Sequence, residues 1–222
     1  MKYSLFYLYL AIFLFPTISF SQDTNDPSLL TIDRIYQSGA FRQDYFGQAR
    51  WIDNGKAYTL LEKSKKYPQA HEIVAYKTEN GDREVLVAAE QLIPAGQRKP
   101  LPIRDYQWSA DKQQLLIFTN TQRVWRYHTK GDYWVLQLDS GQLTQLGKER
   151  RSSSLMFTKF SPDGTQVAYV SEHNIYVEKI KTGEVTPLTQ DGSTTLINGT
   201  FDWAYEEEFG CRDGFRWSPD GQ

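Results

Sequence analysis

Four stretches of this 222-residue chain repeat one pattern at nearly equal intervals, and that repeat constrains the fold more than any other feature. WIDNGKAY begins at Trp51, WSADKQQLLI at Trp108, FSPDGTQVAY at Phe160 and WSPDGQ at Trp217, with spacings of 57, 52 and 57 residues. In each copy an aromatic residue closes one strand, a polar turn built on Asp-Gly or its equivalent reverses the chain, and alternating apolar residues open the next strand. Proline presets a turn dihedral, and Gly or Asn tolerates positive φ. Further strand-like runs follow, DYWVLQL from Asp132 and NIYVEKI from Asn174, each leading into a second turn, DSG or KTG.

A repeat of fifty-odd residues holding about four short strands reads as one β-propeller blade. The expected fold class is therefore all-β, a partial β-propeller of about four blades. An ordinary β-sandwich with chance turns is the rival, but it does not explain four copies in phase. Turns are expected at Asn54-Gly55, Asp111-Lys112 and Asp163-Gly164. Sustained helical periodicity is missing from residues 22–222, apart from a short helical turn near Asp202 to Glu208. The last copy stops at Gln222 directly after its turn, where the counterpart of VAYV at residues 167–170 should follow. Such an end leaves an unpaired strand edge, so the chain is expected to be the N-terminal part of a longer propeller.

The opening residues carry one charge at Lys2, an apolar run from Leu5 to Phe15, a breaker at Pro16 and small residues at Ser19 and Ser21. That is the anatomy of a secretory signal peptide, and the run is shorter than the roughly 20 residues that span a bilayer. Residues 1–21 are expected to be removed, leaving residues 22–222 as an exported propeller domain, periplasmic or extracellular. The remainder holds 24 Lys and Arg against 27 Asp and Glu, a balance that argues against a nucleic-acid partner. Cys211, the only cysteine, has no internal disulfide partner, so stability must come from a packed core.

One segment fits no blade strand. GTFDWAYEEEFG, residues 199–210, sets three successive carboxylates, Glu206 to Glu208, among Trp203, Tyr205 and Phe209. A bare acidic run is ordinarily a solvated face, and a metal site would be the next reading. Asp-Trp-x-Tyr-Glu-Glu-Glu followed by Trp-Ser-Pro-Asp-Gly, however, resembles the dipeptidyl peptidase IV family within the prolyl oligopeptidase clan of serine peptidases. The likeness runs from Leu30 to Gln222 and is most specific over residues 202–208. It implies a short helical insertion projecting from a blade, whose second and third glutamates, Glu207 and Glu208, bind the free α-ammonium of a peptide substrate. Two carboxylates held together in a partly dry site repel, and a cation relieves that repulsion. The resemblance also points to Arg126, directly after Trp125, as a residue holding a substrate carbonyl and the double glutamate, with Arg123 as the nearby alternative. Arg212 could itself pair with one of the glutamates.

Catalysis in that family belongs to a Ser, an Asp and a His in a C-terminal α/β-hydrolase domain, with the Ser in a G-x-S-x-G elbow, and no such pentapeptide occurs here. His71, His128 and His173 lack metal-ligand spacing, and neither a cofactor nor a metal is expected. Trp108, Phe160 and Trp217 are expected in blade cores. The expected partners are a peptide with a free amino terminus, the missing hydrolase domain and, for the full-length protein, a second copy in a homodimer. The expected function is the substrate-gating and amino-terminus-anchoring part of a serine-type dipeptidyl aminopeptidase releasing Xaa-Pro or Xaa-Ala dipeptides, although this chain alone lacks the triad. The alternative is a non-enzymatic exported propeller that binds a protein partner, and downstream sequence with or without the elbow separates the two.

Overall fold

The computed structural model describes residue 26 and residues 28–43 and 46–221. The signal-peptide expectation falls on residues 1–21, outside the described residues. The chain divides into two units, residues 1–46 and residues 47–222. In the first, a short helix, α1 (Ile32–Tyr36), is capped by Thr31, whose hydroxyl accepts from the Arg34 backbone N–H at 3.1 Å.

Among the described residues, the second unit holds twelve strands in chain order. β1 (Arg50–Ile52), β2 (Ala57–Lys63), β3 (His71–Lys77) and β4 (Arg83–Val87) form one antiparallel sheet in sequential order. The next four strands, β5 (Asp105–Trp108), β6 (Gln114–Arg123), β7 (His128–Gln137) and β8 (Leu143–Gln145), repeat that meander, and so do β9 (Leu155–Phe160), β10 (Gln166–Ser171), β11 (Asn174–Lys179) and β12 (Val185–Pro187). The second and third groups touch edge to edge where β7 pairs with β9 at Lys130↔Met156 and Gly131↔Leu155. Three four-stranded blades are thus complete, and the fourth repeat is present as its turn at residues 218–221.

Period-two alternation explains the packing, because successive side chains of a strand leave by opposite faces. On β6, Leu115 and Ile117 enter a core with Ile73, Val87 and Leu92 of the first blade. Leu116 and Phe118, one residue out of phase, enter a second core with Phe160, Val167 and Tyr169 of the third blade. The middle blade therefore has no solvent face over β6, and each buried Leu or Ile there contributes about 1.5–3 kcal/mol. Polar contacts add a joint between the first two blades: Arg50 pairs with Asp105 and lies 4.6 Å over the Tyr106 ring, whose hydroxyl is 2.7 Å from Thr59 Oγ1.

The repeated aromatics end their strands as expected, with Trp108 opposite Leu115 and Phe160 opposite Val167. Ser109 Oγ then donates to Asp111 Oδ1 (2.6 Å) and accepts from Gln114 N (2.9 Å), and Gln113 N donates to Asp111 Oδ1 (3.0 Å). Ser161, Asp163, Thr165 and Gln166 reproduce those three bonds at 2.6, 3.0 and 3.0 Å. The first copy turns differently. Asp53, Asn54 and Gly55 all have positive φ, and Trp51 is 68% exposed, edge-on to Tyr58, whereas Phe160 is buried and Trp108 packs on its core.

Candidate functional site

The loop that leaves the third blade after β12 closes on itself before the last repeat. Gly214 N donates to Gly199 O (2.9 Å), Thr200 bridges to Asp213, and Phe201 N donates to Arg212 O (3.2 Å). Those three rungs make a stem, and the helix α2 (Trp203–Phe209) is its tip. Gly199 sits at the base with φ +79°, and a Cβ there would lie 2.5 Å from Val170 Cγ2 and 2.8 Å from Ile175 Cγ1. Only glycine suits both that backbone and that contact.

The helix has clear local causes. Asp202 caps its start, accepting from Tyr205 N at 3.0 Å, and Gly210 ends it in the left-handed region at φ +64°. Phe201, Tyr205 and Phe209, at four-residue spacing, stack along one side with ring centroids 5.3 and 5.6 Å apart. Trp203, Tyr205 and Phe209 remain exposed, and among the seven helical residues only Glu206 is buried.

The three glutamates therefore differ. Glu206 is buried, and its Oε1 makes no hydrogen bond. The Glu207 side chain is 13% exposed, and Glu208 is exposed.

Arg126 reaches this helix from the second blade. β6 and β7 form a long hairpin whose register runs to Arg123↔His128, with Val124 N donating to Tyr127 O (3.1 Å) across the tip that carries Trp125 and Arg126. Arg126 Nε lies 2.6 Å from Glu207 Oε1 in an ion pair that is off the line of a hydrogen bond. Arg123 is used within the hairpin, donating to Trp125 O at 2.7 Å. The Arg212 guanidinium lies 3.6 Å over the Tyr127 ring instead of pairing with a glutamate, so helix loop and hairpin tip clasp each other twice. The Arg126 side chain is 65% exposed, and an ion pair so exposed contributes at most about 1 kcal/mol to stability. Its effect is to orient Glu207. Of the three consecutive carboxylates, Glu207 meets the Arg126 guanidinium, while the Arg212 guanidinium is taken up by the Tyr127 ring.

Sequence reasoning did not single out Tyr127 as a partner of Arg212, nor Glu206 as the buried member of the acidic run. Tyr127 directly follows Arg126, so the aromatic spacing of the hairpin tip was the available signal. For Glu206 no local signal exists. A cavity of about 480 Å³ lies apart from the glutamates, between β8 and the outer strands of the third blade, and Tyr169 and Glu178 line it. Burial raises the Glu178 carboxyl pKa, while the Gly147 N–H donated to it at 2.8 Å pulls the other way.

The family described as "Dipeptidyl peptidase IV (DPP IV) N-terminal region" matches residues 109–222. Dipeptidyl aminopeptidase B of Saccharomyces cerevisiae is 30% identical over 204 residues, covering 90% of this chain and 24% of that protein. A probable dipeptidyl-aminopeptidase B of Penicillium rubens is 36% identical over 115 residues, 51% of this chain and 13% of the relative. Among solved structures, Porphyromonas gingivalis dipeptidyl peptidase 4 superposes with a TM-score of 0.70 at 26% identity, covering 86% of this chain and 26% of that one. The chain thus spans about a quarter or less of the length of these relatives. With its stacked four-stranded blades, its helix-bearing loop and these likenesses, the chain belongs to the dipeptidyl peptidase IV N-terminal region family.

Proposed function

We propose that this chain is the substrate-anchoring part of a serine-type dipeptidyl aminopeptidase, in which Glu207 and Glu208 bind the α-ammonium of a peptide and Arg126 orients Glu207 and a substrate carbonyl. The observation that carries the reading is the Arg126–Glu207 contact, which joins two blades at the run of three carboxylates. An ammonium held there fixes the distance from the amino terminus to the scissile bond, so cleavage falls after the second residue, with Pro or Ala preferred at that place. A blocked or internal peptide lacks the charge and is refused. The nucleophile and its base come from polypeptide outside this chain, which on its own has no peptidase activity. Export rests on the pattern of residues 1–21, and cell fractionation tests it.

The anchoring is tested in the complete protein with free and N-acetylated Xaa-Pro chromogenic substrates. Removing one partner of a desolvated charge pair costs about 2–5 kcal/mol, which is roughly 30-fold or more in kcat/KM. Glu207→Gln and Glu208→Gln should each lose that much on the free substrate, in kcat as well as KM, and little further on the acetylated one. Glu206→Gln should lose less. Equal, small effects at all three positions return the acidic run to a solvated face.

A further inference from the structure

The helix that carries the glutamates has almost no packing of its own, yet an anchor that measures distance needs a fixed place. Apart from the Arg126–Glu207 and Arg212–Tyr127 contacts with the hairpin tip, its hold on the blades is concentrated at the stem. Lys159, on β9 beside the buried Phe160, sends its ammonium across to the stem's far side. There it pairs with Asp213, donates to Phe215 O (2.9 Å) and lies 4.3 Å over the Phe215 ring. Asp213 forms the middle rung with Thr200 and also pairs with Arg216 Nη1 at 2.6 Å. Trp217 Nε1 donates to Lys159 O at 3.3 Å, so one residue of β9 grips the chain from Asp213 to Trp217.

Both charged side chains of the Lys159–Asp213 pair are only 23% exposed. Burial pulls the Lys159 pKa down, and Asp213 opposes that pull. A half-dry ion pair is a poor way to gain stability, since an apolar pair of similar shape would serve as well or better. What it supplies is direction, because a buried charge must find its partner.

We propose that Lys159 is a positioning residue: through Asp213 it fixes the stem of the loop at residues 199–214 and thereby sets where Glu207 and Glu208 stand. The inference rests on the anchoring role proposed above for those glutamates. Lys159 touches no substrate and acts only through the stem.

The test uses the complete protein and the same pair of Xaa-Pro substrates, free and N-acetylated, with melting temperature measured beside the kinetics. Lys159→Met should lower kcat/KM on the free substrate by tenfold or more, toward the roughly 100-fold that a 1 Å misplacement costs. The residual rate on the acetylated substrate should stay unchanged, and Lys159→Arg should restore most of the loss. Asp213→Asn, which removes the same ion pair at nearly constant shape, should reproduce the selective loss and serves as the second variant should Lys159→Met fail to fold. Equal losses on both substrates, no loss, or unfolding of both variants would overturn the proposal, the last because the pair would then hold the blade and not the helix. If Glu207→Gln and Glu208→Gln abolish the preference for the free amino terminus while Lys159→Met keeps it, only the role of Lys159 falls. If the glutamate variants also keep it, the anchoring reading itself fails.

Discussion

The turns at Ser109 and Ser161 and the helix-bearing loop at residues 199–214 are both short polar excursions from a blade, but they treat their polar atoms in opposite ways. In the turns, each serine and aspartate exchanges hydrogen bonds with its neighbours, at distances that match between the two copies to within 0.1 Å. In the loop, Glu206 Oε1, Glu207 Oε1 and Arg212 Nε are buried without a hydrogen bond, three of the eight such atoms among the described residues. Buried polar groups are ordinarily satisfied. The turns spend their polar atoms on the fold, while the loop leaves three of its own without a hydrogen bond, at a cost in stability that the stem must cover.

The sharpest way to break that contrast is to open the stem. Gly199→Ala places a methyl against Val170 and Ile175 at a left-handed backbone position, and overpacking together with that strain should cost about 2–4 kcal/mol in urea unfolding. Loss of the preference for free amino termini should accompany it. Unchanged unfolding would mean that the stem does not bear on the blade.

Next come the turns. Ser109→Ala and Ser161→Ala each remove a hydroxyl that donates once and accepts once, and each should cost about 1–2 kcal/mol. Because the two turns touch, with Gln114 Nε2 donating to Gly164 O at 2.9 Å, the double variant should depart from the sum of the single costs. Unequal costs would show that identical turns carry different loads.

A smaller effect lies in pH. The Ser109 hydroxyl, then the Gln113 N–H, holds the Asp111 carboxyl below its ordinary value of 3.8. A depressed carboxylate stabilises the fold above its unfolded pKa and loses that contribution as pH falls through the lower folded value. Asp111→Asn should therefore melt earlier than the unmodified protein at pH 7, and the gap should close below about pH 3.8, read from melting curves across pH. A gap that persists in acid would assign the loss to geometry instead of charge.

The smallest change is expected at Glu206. With its Oε1 buried and without a hydrogen bond, Glu206→Gln keeps the shape of the side chain and breaks no bond at that atom, so the melting temperature should hold or rise slightly at pH 7. A marked fall would reveal a structural partner and weaken the contrast between loop and turns.

Much of the fold was legible because strand alternation and turn chemistry are local. The pairings Trp108↔Leu115 and Phe160↔Val167 sit where the repeats put them, and the Asp202 cap and Gly210 stop bound the helical turn read from the sequence. Trp51 shows the limit of that locality. It aligns with Trp108 by pattern but is exposed, because core membership depends on which blade covers a face. The acidic run was legible as a cluster, and helical spacing sets Glu206 and Glu208 on opposite sides of α2, but which of the two is buried depends on tertiary packing. Lys159 and Asp213 stand 54 residues apart, and only the fold brings them together. The short helix at Ile32–Tyr36 also lay outside the expected pattern, since five residues are too few to show a period.

One strand has a consequence for how a chain like this can change length. Because Leu115 and Ile117 serve one core while Leu116 and Phe118 serve the other, inserting or deleting a single residue in that part of β6 would exchange the two sets and spoil both cores at once. Beyond Thr119 the pairing of β6 with β7 already slips, between Thr119 and Gln122 and again before Arg123, so irregularity is absorbed there without cost to the blades. The hairpin is thus divided into a phase-locked root and a tip whose length is free. A residue added or removed at the tip would change the reach of Arg126 toward the helix while the blades beneath keep their phase.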